Sequence, residues 1–320
     1  MKSMPDAILI AGPTASGKSA AALALAEQAG GIIVNADSMQ VYAEPRILTA
    51  RPSDEDMARV PHLLYGHASV RDAYSAGRYQ ADAAQALTRA REMKRVPIFT
   101  GGTGLYFGVL TEGLTLVPPI PPEIRAGVEA RWKEIGAEAF HAELAERDPI
   151  SALRYPPSDT QRTLRAYEVF EGTGVALPEW QKSMGKPLLA GMKLARFVIA
   201  PPRDELYAGI DARFDRMVEQ GAMEEADRIA ALSPAPSAAK ILGLRELVAA
   251  HRGEMSLQAA KEAARTASRQ YAKRQITWFR NRMADWTWME ATDKMEVITA
   301  IGKTISFTST ISPSPWGSGR

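Results

Sequence analysis

Gly12-Pro-Thr-Ala-Ser-Gly-Lys-Ser19 fills every fixed position of the pattern G-x-x-x-x-G-K-[ST]. Glycines at this spacing let a backbone wrap tightly, so consecutive amide hydrogens can point at phosphate oxygens. Lys18 supplies a mobile cation, and the Ser19 hydroxyl is suited to holding Mg²⁺. A helix starting here would add its positive end to the attraction. Gly12, Pro13, Thr14, Ala15, Ser16, Gly17, Lys18 and Ser19 are therefore assigned to a phosphate-bearing ligand. Taken alone, the loop favours a kinase, because most such loops hold ATP or GTP.

A second group of polar residues follows in Asn35-Ala-Asp-Ser-Met-Gln-Val-Tyr42. If the preceding apolar run is a strand of a doubly wound sheet, Asp37 emerges at the sheet edge where ligands bind. There it is placed for chemistry or metal binding, or simply caps a turn. Near the C-terminus, Lys261, Arg265, Arg269 and Lys273 recur every four residues and share one helix face. Arg274, Arg280 and Arg282 extend this basic stretch, with Tyr271, Trp278 and Phe279 interleaved. Such a segment suits phosphate and base contacts in a nucleic acid. The four histidines show no metal-ligand spacing.

The elements that must position these groups are legible as short apolar runs. Ala7–Ala11, Ile32–Asn35, Val96–Thr100 and Ala195–Ala200 read as buried strands, and Ser19–Ala29 and Ala76–Met93 as helices between them. This alternation predicts an α/β fold with a mainly parallel sheet and flanking helices. The proline cluster Val117–Pro122 opens a helical stretch that reaches about Trp180 before strand-like sequence resumes. A helical insertion explains that order. Residues 1–116 and 190–300 are therefore expected to form the core with its C-terminal helices, 117–189 the insertion, and 301–320 a loose Ser/Thr/Pro/Gly tail. Asp204 is expected to cap a helix carrying Leu206, Ile210, Phe214 and Met217, with Gly221 ending it.

Composition adds bounds. The 320 residues are 46% hydrophobic and 24% charged, which is ordinary for a globular chain. A net charge of +2 is too small to advertise nucleic-acid binding, so the charge distribution must carry that argument. The absence of cysteine excludes disulfides and thiolate chemistry. No segment approaches the roughly 20 apolar residues of a membrane span, and a cytoplasmic location is expected.

The phosphate loop followed by Asp37-Ser-Met-Gln-Val-Tyr42 resembles the tRNA dimethylallyltransferase family, also called tRNA isopentenyltransferases. Gly101-Gly-Thr-Gly-Leu-Tyr106, Asp159-Thr-Gln-Arg-Thr-Leu-Arg165, Ile241-Leu-Gly-Leu-Arg-Glu246 and Lys273-Arg-Gln-Ile-Thr-Trp-Phe-Arg280 agree with it, in order. Leu63 and Leu244 depart from residues common in that family. The resemblance implies a P-loop NTPase-like core with a helical insertion domain, dimethylallyl diphosphate as donor and Mg²⁺ as cofactor; a monomer is expected. The acceptor it implies is the exocyclic amine of the adenine 3′ of the anticodon, tRNA position 37.

By the same resemblance, Asp37 takes the amine's proton, Thr14 donates to the leaving oxygen, and Lys18 and Arg213 offset the developing charge. Thr103 is expected near the donor or the target base. Contacts to the tRNA anticodon loop are assigned to Asp37, Ser38, Met39 and Gln40, and to Arg125, Gln161, Arg162, Thr163, Leu164 and Arg165. Lys240, Gly243, Arg245, Lys273, Arg274, Gln275, Trp278 and Arg280 complete that surface. Competing readings are a relative that prenylates free adenine nucleotides, a small-molecule kinase, and an RNA-binding protein without catalysis. The last leaves the loop and Asp37 unexplained.

Overall fold

Alternation of β-branched runs with alanine-rich segments produces a parallel sheet wrapped by helices. The computed structural model describes residues 4–290 and 294–304. In chain order the first half of the core contains β1 (Ala7–Ala11), α1 (Lys18–Ala29), β2 (Ile32–Asn35), α2 (Asp54–Arg59), β3 (His62–Leu63), α3 (Ala76–Glu92), β4 (Pro97–Gly101) and α4 (Gly104–Thr111). The described residues fall into two compact units, 108–190 and the remainder.

All strand pairings are parallel, and the six-stranded order is β3-β2-β4-β1, then β5 (Leu194–Ile199) and β6 (Thr287–Met289). Asn35 stands opposite Thr100, and Thr100 opposite Ile10. Residues 12–14, 36–38 and 101–103 therefore leave the sheet at one edge, side by side. Gly101 is required there, since a Cβ would lie 2.1 Å from the Ala36 carbonyl carbon. The core beneath this edge contains Ile8, Ile10, Leu25, Ile33, Ile98 and Phe197. Each contributes about 1.5–3 kcal/mol by leaving water.

After β5 come α9 (Arg203–Glu219), α10 (Ala222–Ala231), α11 (Leu244–His251) and α12 (Leu257–Arg282), and after β6 comes α13 (Lys294–Thr304). Leu206, Ile210, Phe214 and Met217 form the buried face of α9, as their spacing predicts. Its N-cap is Pro202, however, and Asp204 lies inside the first turn, where its charge faces the positive helix end. Gly221, at φ 95°, makes the turn into α10. The expected loose tail starts too early: α13 continues to Thr304 and Ile301 is fully buried in the core. Residues 305–320 lie outside the described residues.

The second unit contains α5 (Pro122–Arg147), α6 (Pro149–Arg154), α7 (Thr160–Thr173) and α8 (Leu177–Trp180). Gly136, at φ 80° and ψ 170°, kinks α5, and the unit closes on Val128, Phe140, Leu144, Tyr167 and Val169. The strands β3 and β6 are too short to leave a sequence pattern, at two and three residues.

Candidate active site

The loop after β1 is shaped by its glycines. Gly17 has φ 82°, and a Cβ on Gly12 would meet Ser16 Oγ at 2.5 Å and Ile199 O at 2.8 Å. Ala15 also takes a left-handed φ of 63°, so successive amides turn inward. The side chains of Ser16 and Thr100 are buried, and their hydroxyl oxygens have no hydrogen-bond partner among the described residues. Ser16 belongs to the loop itself, and Thr100 lines the cavity beside Ser19.

Lys18 is buried and donates to Pro13 O at 3.1 Å. Burial lowers its pKa to about 8, against the opposing pull of Asp37, with Arg213 lowering it further. Burial likewise lowers Arg213 to about 10, while Asp37 supports its charge. Both stay cationic at neutral pH. Above pH 8 Lys18 loses its charge and an anion loses a partner. The affinity for inorganic diphosphate, relative to Lys18→Arg, is therefore expected to fall by up to about tenfold per pH unit there. Calorimetric titration of both proteins across that range checks this; parallel curves would remove Lys18 from the anion site.

Asp37 is presented by a local brace. Its backbone N–H donates to Asn35 Oδ1 at 2.8 Å, Asn35 Nδ2 donates to Asp37 O at 2.9 Å, and Asp37 Oδ1 accepts from Met39 N at 3.0 Å. Thr103 Oγ1 accepts from Ser38 N at 2.8 Å, tying the turn after β4 to the Asp37 loop. Asp37, Thr14, Met39, Arg213 and Tyr271 line one pocket with an apolar wall that includes Leu48, Ile210 and Phe214. Arg213 Nη2 donates to Thr14 Oγ1. Burial, and then the Asp37 carboxylate, push the phenols of Tyr65, Tyr106 and Tyr271 up, so they remain protonated.

Arg213 also lines a second cavity of about 590 Å³ with Ser19, Thr100, Arg51, Arg216 and Tyr65. A Mg²⁺ ion fits the donor set there: Ser19 offers an exposed hydroxyl, and Mg²⁺ ordinarily completes its shell with phosphate oxygens and water. Among the described residues there is no cluster of three or more His, Cys, Asp or Glu side chains that could hold a metal ion. Arg216 went unmarked in the sequence, although its i, i+3 spacing from Arg213 placed it on the same helix face. Tyr65 and Arg51 carried no such signal.

Behind the pocket wall, Glu225 of α10 is buried, and its carboxylate accepts from the N–H groups of Arg46, Ile47 and Leu48 at 2.8–2.9 Å. Glu225→Gln would turn an amide NH₂ toward these donors. It is expected to cost about 2 kcal/mol, measured by denaturant unfolding. An unchanged midpoint would mean the loop holds itself.

Several expected RNA contacts are placed otherwise. Lys261 and Arg265 pair with Asp215, and Arg269 pairs with Asp211 and Glu262, so this part of the basic face is spent on joining α9 to α12. Gln275 is only 6% exposed and bonds within the protein. Gln40 Nε2 donates to Thr49 O and Ala50 O, bracing its own loop. Thr163 is buried with its hydroxyl on Pro156 O, Leu164 packs into the second unit's core, and Gly243 makes a buried turn at φ 81° against Phe214. In the second unit, Gln161, Arg162 and Arg125 are exposed and Arg165 is partly so; Arg162 pairs with Asp159, and Arg125 and Arg165 with Glu168. Lys240, Lys273, Arg274 and Arg280 are exposed and form no ion pair among the described residues, while Arg245 is bridged to Glu246. Trp278 is partly exposed with its ring against Gly104.

Thr14 of the phosphate loop, the braced Asp37 carboxylate and the Arg213 guanidinium share one pocket, an arrangement suited to group transfer. The sequence profile of IPP transferases matches residues 40–282, and the chain belongs to that family, the tRNA dimethylallyltransferases. It is 52% identical over 285 residues to the tRNA dimethylallyltransferase of Nitrobacter hamburgensis, covering 88% of this chain and 90% of that one. The corresponding protein of Phenylobacterium zucineum is 48% identical over 291 residues, covering 90% and 94%. Among solved structures, the tRNA isopentenylpyrophosphate transferase of Bacillus halodurans aligns at a TM-score of 0.66 and 30% identity, covering 93% of this chain and 94% of that one. A eukaryotic dimethylallyltransferase acting on tRNA shares the fold at a TM-score of 0.77 and 24% identity, covering 93% and 77%. No described helix is long and apolar enough to cross a membrane.

Proposed function

We propose that this protein transfers the dimethylallyl group of dimethylallyl diphosphate to the exocyclic amine of adenine 37, beside the tRNA anticodon, releasing diphosphate. The observation that carries the reading is the shared pocket of Asp37, Thr14 and Arg213 above an intact phosphate loop. The amine lone pair attacks the allylic carbon as the bond from that carbon to the bridging oxygen breaks. Its surplus proton passes to Asp37, and the electron pair of the broken bond goes to the diphosphate. Charge gathers on the leaving oxygen, where the Thr14 hydroxyl, Lys18 and Arg213 would offset it; both cations keep their charge at neutral pH, and Arg213 bonds to Thr14. Mg²⁺, held through Ser19, would neutralise part of the diphosphate charge.

The target base must leave its stack before reaction. Lys273, Arg274 and Arg280, exposed on α12 and without an ion pair among the described residues, would meet the surrounding phosphates, with Arg274 stacked over the Tyr271 ring. Arg280→Ala is expected to weaken tRNA binding and lower its salt slope by about 0.7, the value of one lost single-strand phosphate contact. An unchanged slope would take Arg280 off the RNA surface.

Incubation with radiolabelled dimethylallyl diphosphate, Mg²⁺ and either unmodified tRNA or free adenine nucleotides tests the activity. Label in tRNA that disappears when adenine 37 is replaced is the expected result. Label in free nucleotide alone would identify a different acceptor, and no transfer to either would return the loop to a kinase reading.

A further inference from the structure

We infer that Gln275 is a positioning residue that fixes the phosphate loop against the turn after β4, and so sets the distance between the donor diphosphate and Asp37. Its side chain lies inside the protein, 6% exposed. The Oε1 atom accepts the Thr14 N–H at 3.0 Å, and Nε2 donates to Gly102 O at 2.8 Å. One primary amide thus spans a donor on the loop and an acceptor on the turn. Glutamate of the same length satisfies the first and repels the second, and methionine satisfies neither.

Both anchors lead directly to the chemistry. Thr14 carries the hydroxyl that meets Arg213. Gly102 precedes Thr103, whose hydroxyl holds Ser38 N–H, and a Cβ at Gly102 would stand 3.2 Å from Asp37 Oδ2. That same Cβ would stand 2.1 Å from Gln275 Nε2, so the turn and the amide are fitted to each other. The donor-side hydroxyl and the acceptor-side carboxylate are therefore held to one side chain of α12. A displacement of about 1 Å between reacting groups can cost on the order of 100-fold in rate, which gives this brace its leverage. Its burial favours this internal role over an RNA contact.

The kinetic part of the test rests on the proposed transfer reaction; the binding part does not. Gln275→Glu and Gln275→Ala are compared with the wild type in saturating-substrate turnover, tRNA affinity, and affinity for inorganic diphosphate with Mg²⁺. Turnover at saturation is expected to drop by about 10–100-fold in both variants, with tRNA affinity held within about twofold. Inorganic diphosphate should bind at least about threefold more weakly to Gln275→Ala, whose loop has lost its anchor. For Gln275→Glu, the rate relative to wild type should climb on going from about pH 8 to about pH 6, as a protonated acid regains a donor for Gly102 O. A residue that only stabilises the fold would lower the melting temperature without that recovery.

Unchanged turnover, or lost tRNA affinity with turnover intact, would overturn the inference. Should the wild type transfer nothing, the reaction assignment falls, and diphosphate binding alone decides: weaker binding to Gln275→Ala upholds the brace and equal binding removes it.

Discussion

Asp37→Asn is expected to slow prenyl transfer by about 10²–10⁴-fold while tRNA affinity stays within about threefold. An adenine amine is a poor nucleophile because its lone pair is delocalised into the ring. As its bond to carbon forms, its proton needs an acceptor, and asparagine cannot take it. The substitution keeps Oδ1 for the Met39 N–H, so the turn that presents the side chain survives and the loss reports on charge. Single-turnover rates at saturating tRNA, beside filter-binding affinities, separate the two effects. Equal losses of rate and affinity would show that Asp37 holds RNA rather than a proton.

Arg213→Met is expected to reduce transfer by about 10²–10³-fold, the size typical of one lost charge-stabilising donor. Arg213 donates to the Thr14 hydroxyl and lines both cavities beside the loop, so its removal strips positive charge and frees Thr14 at once. Its pKa of about 10, lowered by burial, leaves it protonated throughout the physiological range. Arg213→Lys should recover part of the loss through its charge, although an ammonium lacks the guanidinium fork. A methionine variant within about threefold of wild type in turnover would place the charge compensation elsewhere in the site.

The sheet was largely readable from the sequence because buried parallel strands need continuous apolar runs. Ala7–Ala11 and Ile32–Asn35 have the bounds read from sequence, and the other two shift by one residue. β6 escaped because Thr287-Trp-Met289 takes its strand character from pairing with β5, not from a pattern of its own. The phosphate loop was legible because its conformation demands particular residue types. The α12 face was harder: helical spacing shows which residues share a side but not what stands opposite. Lys261, Arg265 and Arg269 face the acids of α9, while Lys273, Arg274 and Arg280 form no ion pair among the described residues. A glutamine in a basic segment likewise gives no hint that its amide is consumed 261 positions away at Thr14.

That separation has a consequence for biosynthesis. The phosphate loop leaves the ribosome 261 residues ahead of the side chain that anchors it. At about 5–20 residues per second, the loop waits on the order of tens of seconds for α12. A nascent chain stalled before residue 275 can build α1 beside its first strands, yet it holds Thr14 without a partner on Gln275. The support that Gln275 gives the loop therefore comes only once α12 has been made.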